Sequence, residues 1–393
     1  YYIKSIMLKQ LKFAAIALLV AVGFTACSED DPAPVIPPAP ITPTDSVAPA
    51  DSIINPMRGE AGMYVINQGN SYGNVAGALD FIAQNGTKTD SVFFKANGQL
   101  IGDAPQKPII YGSKMYVPVF ASNLVWVLDA NTATVIASVQ TSQPEAVCAS
   151  NGHVYISNND GFVTRIDTTT YTKSAPLAVG PNPYGMAAAN GKVYVACSDA
   201  NNYGAGYANS AIAVIDEATF SKVKSITNEG ITDPWEMAAD NSGNVYVTTP
   251  YTANKVWKID ANDNVSALCD GTYIATNTQN RTSRATGKQD LLYVIHAVTD
   301  WSTYATTISS SVYNAATGAQ LSNNFLQTPA NTTEYTFAPI CMDVNPANGD
   351  IYVCSDNGSN GYAKPGYINV YTSNGAFSKR IATGIHPYGV IFK

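Results

Sequence analysis

The sequence predicts an all-β fold, a seven-bladed β-propeller closed by pairing of its N- and C-terminal strands. Three observations predict it. A Tyr-Val or Tyr-Ile pair in an apolar run recurs seven times, at 63–65, 115–117, 154–156, 193–195, 245–247, 292–294 and 351–353. The spacing, 39 to 59 residues, is that of four-stranded propeller blades. Within one period, four short β-rich runs follow one another, as in PEAVCAS, HVYISNN, FVTRIDTTT and KSAPLAV over 144–179. Asn151-Gly152 and Asp160-Gly161 separate them, the pairs that reverse an antiparallel chain in two residues. Finally, most Tyr-Val strands follow an inner strand that opens with proline (Pro144, Pro183, Pro234), but the first has no such partner upstream. The missing strand appears at the far end as HPYGVIF, 386–392, which leaves the ring no open edge.

The segments ahead of the blades read as export and tether. Met7 reads as a start, followed by Lys9 and Lys12, the apolar run FAAIALLVAVGF at 13–24, and Thr25-Ala26-Cys27. Twelve apolar residues are too few to span a bilayer and fit a signal peptide. The ending F-T-A-C resembles a bacterial lipobox, which implies that residues 1–27 are a lipoprotein signal and that Cys27 is the lipidated anchor. Ser28-Glu29-Asp30-Asp31 resembles the acidic signal that sends such lipoproteins of the Bacteroidetes type to the outside of the outer membrane; periplasmic retention is the alternative. Residues 28–56 form an acidic and then proline-rich tether, with eight prolines in 32–56, extended and semi-rigid. Asp45-Ser46-Val47 and Asp51-Ser52-Ile53 look like O-glycosylation sites or plain linker. The propeller is expected over 57–393.

Composition narrows the function. Charged residues are 13% of the chain, with 24 Tyr and a net charge of -7, which excludes a nucleic-acid binder, since phosphate contacts need a basic face. Cys148, Cys197, Cys269, Cys341 and Cys354 show no C-x-x-C spacing, so neither zinc nor a redox pair is indicated; Cys341 and Cys354 lie on consecutive strands and are able to face one another.

Propeller topology then sorts the loops. If the inner strand runs away from one face, the second strand returns to it. The connections after the second strands and those leading into the inner strands therefore share that face. Tyr184, Trp235 and Tyr388, at the openings of inner strands, are expected to ring the mouth of the channel. The insertions after the Tyr-Val strands are expected to crown it, with Asn67, Gln68 and Tyr72 in the first, Phe120 in the second and Asn158 in the third. Asp199, Tyr203 and Tyr207 follow in the fourth, Tyr251 in the fifth, His296, Trp301 and Tyr304 in the sixth, and Asp356 and Tyr362 in the seventh. Turns on the other side, such as Asn151-Gly152 and Asn190-Gly191, are short. Aromatic rings with a hydrogen-bonding tip, beside amides, suit a large, neutral ligand bearing amides or hydroxyls. For any one of these residues, packing or turn duty is an equal alternative.

Catalytic signatures are sparse. The three histidines, His153, His296 and His386, are far apart without carboxylates at ligand spacing, and there is no G-x-S-x-G, phosphate loop or H-E-x-x-H. DANDN at 260–264 lacks the glycine and glutamate of a calcium loop and reads as a turn. Glu145 and Glu236 open inner strands at matching positions, where an acid and base would meet or strand ends be capped. Arg281 and Arg284 precede the sixth inner strand, as an anion grip or solvated charges. The expectation is no catalytic residue, no metal and no required cofactor.

With its Tyr-Val repeat, Pro-Tyr-Gly inner strands and lipobox, the chain resembles the YncE-like seven-bladed propellers and, more narrowly, the BtuG-type cell-surface lipoproteins. The resemblance covers signal, tether and all seven blades. It implies a lipid-anchored outer-membrane protein that binds cobalamin and other corrinoids and hands them to a BtuB-type TonB-dependent transporter. It carries over a binding face, not individual ligand contacts. A glycan- or protein-binding adhesin and a lactonase- or dehydrogenase-like enzyme are the other classes this fold hosts.

Overall fold

Each Tyr-Val pair lies in the second strand of a four-stranded antiparallel sheet, and seven such sheets make a ring. The computed structural model describes residues 61–70, 74–228, 230–277, 290–300, 302, 305–358 and 361–393. The signal, Cys27, the tether, Tyr72, Arg281, Arg284, Trp301 and Tyr304 lie outside them.

Blade one takes its inner strand from the end of the chain, Pro387–Phe392, followed outward by Gly62–Asn67, Ala78–Ala83 and Lys88–Thr89. Blade two is Ile109–Tyr111, Lys114–Val119, Leu124–Asp129 and Val135–Gln140; blade three is Pro144–Ser150, His153–Asn158, Phe162–Asp167 and Leu177–Ala178. Blade four is Pro183–Ala189, Lys192–Cys197, Ala211–Asp216 and Ser221–Ile226, and blade five Met237–Ala239, Val245–Thr249, Lys255–Ile259 and Val265–Asp270. Blade six is Tyr273–Thr276, Leu291–Asp300, Ala305–Asn314 and Gln320–Asn323; blade seven is Phe337–Val344, Ile351–Asn357, Pro365–Tyr371 and Phe377–Ile385. Each inner strand packs on the inner strands of the blades before and after it, with blade seven meeting blade one. The clasp runs from Met63 opposite Phe392 to Asn67 opposite Pro387.

The repeated tyrosine is the joint between blades. Tyr64, Tyr116, Tyr155, Tyr194, Tyr246, Tyr293 and Tyr352 are all buried. In three blades its hydroxyl reaches the next sheet: Tyr64 donates to the Ala130 carbonyl at 2.8 Å, Tyr194 to Asp263 Oδ1 at 2.5 Å, and Tyr246 to the Ala315 carbonyl at 2.8 Å. A ring that fills the gap between sheets and ends in a hydroxyl satisfies both the apolar walls and an otherwise unpaired carbonyl. Tyr64→Phe keeps the ring and takes from the Ala130 carbonyl its side-chain donor, so unfolding in denaturant should show a loss of about 1–3 kcal/mol; an unchanged midpoint would show that the hydroxyl contributes nothing.

The face away from the insertions is built of tight turns. Asn151 and Gly152, and Asn190 and Gly191, all have positive φ (47°, 76°, 54° and 72°), as a two-residue hairpin turn requires. Outer hairpins on that face repeat an Asp-x-x-Thr corner. Asp129, Asp167 and Asp216 each accept the backbone N–H three residues on, from Thr132, Thr170 and Thr219. Those bonds to its anionic form hold the Asp167 carboxyl below its usual range. DANDN is a turn of another kind, in which Asp260 Oδ1 accepts the Asn262 and Asn264 N–H groups; Asp263 takes Lys192 at 2.7 Å, Lys224 at 2.6 Å and the Tyr194 hydroxyl, tying blade four to blade five.

Two features depart from four plain strands per blade. In blade one the fourth strand is only Lys88–Thr89, and a short helix, Val92–Asn97, follows it. Val92 and Phe93 are buried, and Phe93 packs on Trp126 of blade two with ring centroids 5.4 Å apart. Asn97 Oδ1 accepts the Val135 N–H of blade two's outer strand, so the helix bridges outer strands where blade one runs short. The second departure is a 3₁₀ turn, Ala200–Ala205, in the fourth insertion. Cys341 and Cys354 stand directly opposite one another in blade seven as free, buried thiols.

Candidate functional site

The axial opening is lined by aromatic rings from different blades. Tyr184 opens the inner strand of blade four, and its ring centroid lies 4.0 Å from that of Trp235, which leads into blade five. Trp235 in turn meets Tyr251, from the insertion after blade five's second strand, edge-on at 4.9 Å. Tyr388 of blade one has its hydroxyl within electrostatic reach of the Tyr184 hydroxyl. It faces His386 at 5.8 Å, and His386 stacks on Tyr362 of blade seven at 4.3 Å. Connections into inner strands and insertions after second strands therefore meet at one mouth, as the topology requires. Burial raises the Tyr184, Tyr251 and Tyr388 hydroxyls well above the ordinary phenol range, so all three remain neutral donors.

Backbone packing makes these positions possible. The Gly185 N–H donates to the Trp235 carbonyl at 3.0 Å, and a Cβ on Gly185 would stand 2.2 Å from that oxygen. Glycine at that place lets the lead-in of blade five cross close to blade four, which brings the indole over the Tyr184 ring. Trp235 is oriented from below, its Nε1–H donating to Asp233 Oδ1 at 2.8 Å.

Asp233 is buried, and desolvation raises its carboxyl to about 7; the Trp235 bond opposes the shift and nearby Asp199 adds to it. A carboxyl whose folded pKa lies above its unfolded value holds a proton that the unfolded chain has lost. Stability from this group therefore falls as pH rises from about 4 to about 7 and is constant above. Asp233→Asn keeps an oxygen for Trp235 and removes the titration. At pH 8 it should raise the unfolding free energy by up to a few kcal/mol, with the gain vanishing towards pH 4; a gain equal at both pH values would refute this account.

The Asp356–His386 pair adds a polar edge to the mouth. His386 is 5% and Asp356 2% exposed, and Nδ1 lies 2.9 and 3.1 Å from the two Asp356 oxygens. A carboxylate only accepts, so Nδ1 carries a hydrogen, and Nε2 faces the Tyr362 hydroxyl at 3.2 Å. A Cβ on Gly361 would fall 1.9 Å from Asp356 Oδ2, so only glycine lets this loop close over the carboxylate.

Deeper on the axis, Lys107 pairs with Asp343, whose Oδ2 also accepts the Val390 N–H at 2.9 Å. Desolvation works most strongly against the Lys107 charge, but Asp343, Cys341 and Glu236 together outweigh it and the net shift is upward. Half-buried Glu236 accepts the Ile274 N–H of blade six at 2.9 Å, and desolvation raises its carboxyl to about 7. Glu145 and Glu236 do not occupy matching positions. Ala146 pairs with Ser157, while the Glu236 carbonyl accepts the Thr248 N–H; Ser157 and Thr248 each follow the Tyr-Ile or Tyr-Val pair, so Glu236 matches Ala146 and Glu145 matches Trp235. The sequence carries the same offset, Glu145 standing one residue after Pro144 and Glu236 two after Pro234.

The other residues of the expected crown divide by place. Asn67, Gln68 and Asn158 are buried and bonded within the protein: Asn67 to Asp80 at 2.9 Å, Gln68 to Gln106 at 3.0 Å, and Asn158 to Thr141 at 2.6 Å. Asp199 is buried too, and its Oδ2 accepts Asn202 Nδ2 at 3.1 Å and the Asn209 N–H at 2.8 Å. The amides of the fourth insertion thus hold that loop together and display Tyr203, which is 45% exposed. Half-buried Tyr207 has its hydroxyl raised by burial and by Asp233, so it stands close to Asp233. Phe120 is half-buried, its N–H donating to the Ala104 carbonyl. His296 lies within electrostatic reach of Asp270 on blade five's outer strand, away from His386, and His153 bonds the Asn151 carbonyl in a turn of the opposite face. Among the described residues no group of three His, Cys, Asp or Glu side chains is placed to hold a metal. Tyr273 was not among the expected residues. It opens blade six's inner strand and acts electrostatically on Tyr251; the absence of a preceding proline concealed it.

Residues 61–392 match the family model described as Domain of unknown function (DUF5074). The chain belongs to this family. No curated protein matches this DUF5074 chain in sequence. Among solved structures, it is similar to hydrazine synthase of Kuenenia stuttgartiensis, with a TM-score of 0.56 and 17% identity over 73% of this chain and 89% of that one. It is also similar to a quinonprotein alcohol dehydrogenase-like protein of Bacteroides thetaiotaomicron, with a TM-score of 0.56 and 15% identity over 85% and 78% of the two chains. At such identity the likeness is one of fold alone.

Proposed function

We propose that this DUF5074 protein captures a corrinoid of the cobalamin class on its axial aromatic face. On this reading it is held at the outer membrane by a lipid on Cys27, faces the cell exterior, and passes its ligand to a BtuB-type TonB-dependent transporter. One observation carries the reading: Tyr184, Trp235, Tyr251, Tyr362 and Tyr388 converge from four blades on a single opening. A corrin is broad, apolar on its faces and rimmed with amides. Rings that present both a flat surface and a hydroxyl or indole donor match both features. The lipobox and the acidic stretch after it support the location, and the resemblance to BtuG-type lipoproteins supports the ligand class.

The test is a titration of the full chain with cyanocobalamin, whose visible band reports the complex. A band that co-migrates with the protein and saturates at one per chain in the micromolar range is expected; no co-migration at micromolar ligand would overturn the reading.

A second reading rests on the Asp356–His386 pair. An imidazole oriented by a carboxylate is the arrangement of a general base. On that reading the chain hydrolyses a lactone, His386 taking the proton of the attacking water, and His386→Asn removes the rate; on the capture reading there is no turnover to remove.

A further inference from the structure

Blade six is built differently from the others. Its second and third strands, Leu291–Asp300 and Ala305–Asn314, have ten residues each and pair along their whole length. The inner strand covers only Leu292 to Ile295 of them, so residues 296–300 and 305–309 extend as a two-stranded ribbon on the insertion-bearing face. Five residues of strand reach about 17 Å. Beside this ribbon, a connection from 324 to 336 joins blade six to the inner strand of blade seven.

Between ribbon and connection lies a cavity of about 350 Å³, near the lower end of the size of small-molecule sites. Its floor is apolar: Ile295, Ile308, Leu326 and Phe337 are buried or half-buried. Its rim carries Thr306, Asn324 and Asn331, all exposed, with the Ser310 hydroxyl accepting the Leu326 N–H in the wall below them, and no charged side chain lines it. Asn331 Oδ1 accepts the Phe337 N–H at 2.9 Å, which fixes the carboxamide. Thr328, also in the wall, shares a 2.7 Å hydrogen bond with the Tyr371 hydroxyl.

We infer that this pocket is a second binding site, separate from the axial mouth, and that it takes a neutral pyranose sugar. A pyranose has an apolar C–H face for the Ile308–Leu326–Phe337 floor and a rim of hydroxyls, each donor and acceptor, for the Thr and Asn rim. A charged ligand would meet no counter-charge in the pocket and would lose hydration without return. The site adds to the axial reading without depending on it, since the two share no residue.

The experiment is saturation-transfer NMR of the full chain with methyl α-D-glucopyranoside, methyl α-D-mannopyranoside and N-acetylglucosamine, one at a time. At least one sugar should receive saturation. Ala330→Trp and, separately, Thr306→Trp place an indole at the exposed mouth of the pocket and should weaken that sugar at least tenfold while leaving the cyanocobalamin titration unchanged. Transfer to none of the three, or equal transfer in both variants and the parent, overturns the inference. Sugar binding lost in both variants, in a chain that binds no cyanocobalamin, would uphold this site and dismiss the axial one.

Discussion

Deletion of Pro387–Lys393 abolishes cooperative folding of the ring. The deleted strand is the inner strand of blade one, paired with Gly62–Asn67 along its length. Without it the first Tyr-Val strand faces the channel as a bare edge, and unpaired edges invite pairing with other chains. Val390 and Ile391 are fully buried, at about 1.5–3 kcal/mol each. Buried Asp343 loses the Val390 N–H, and Tyr352 loses the ring of Phe392 at 5.0 Å. Against a total stability of about 5–15 kcal/mol for a folded domain, these losses suffice to unfold it. The truncated chain should aggregate or unfold without a sigmoidal transition, whereas Ile391→Ala should fold and lose about 2–5 kcal/mol. A truncated chain that melts at the parent midpoint would mean that the two ends of the chain do not close the ring.

The second large effect falls on the axial mouth. Trp235 touches both Tyr184 and Tyr251 and donates to Asp233, so its removal takes away the shared surface of three rings at once. Half-buried aromatic anchors at the centre of a binding face contribute about 2 kcal/mol or more. Trp235→Ala should therefore weaken cyanocobalamin at least about thirtyfold. Tyr184→Ala, which removes one ring of the mouth and its contact with Trp235, should cost about tenfold. Both should keep a cooperative unfolding transition, since the blade joints are the buried tyrosines of the second strands. Parent-like binding by both variants would move the ligand off this mouth.

The ring was legible because its rules are local and repeated. A Tyr-Val strand needs a tyrosine between sheets, an inner strand beside it, and turns of fixed chemistry, and each leaves a mark at a known offset. The clasp was legible for the same reason, as a strand absent at one end and present at the other. Side-chain direction was less so. Asn67 and Asn158 end their second strands as they would at an exposed rim, yet both turn inward to bonds with Asp80 and Thr141, because the backbone there is still in the sheet. Asp199 looked like a ligand contact, but its carboxylate organises the loop that carries Tyr203. The offset between Glu145 and Glu236 was legible, one and two residues after their prolines, whereas the helix Val92–Asn97 in place of a full outer strand is set by tertiary packing that no single segment announces.

The most direct test of the axial site is a crystal structure of the full chain with cyanocobalamin. The account predicts the corrin seated across the channel opening, in van der Waals contact with Tyr184, Trp235 and Tyr388. A corrin bound on the opposite face or against the outer strands, with those three rings untouched, would contradict it.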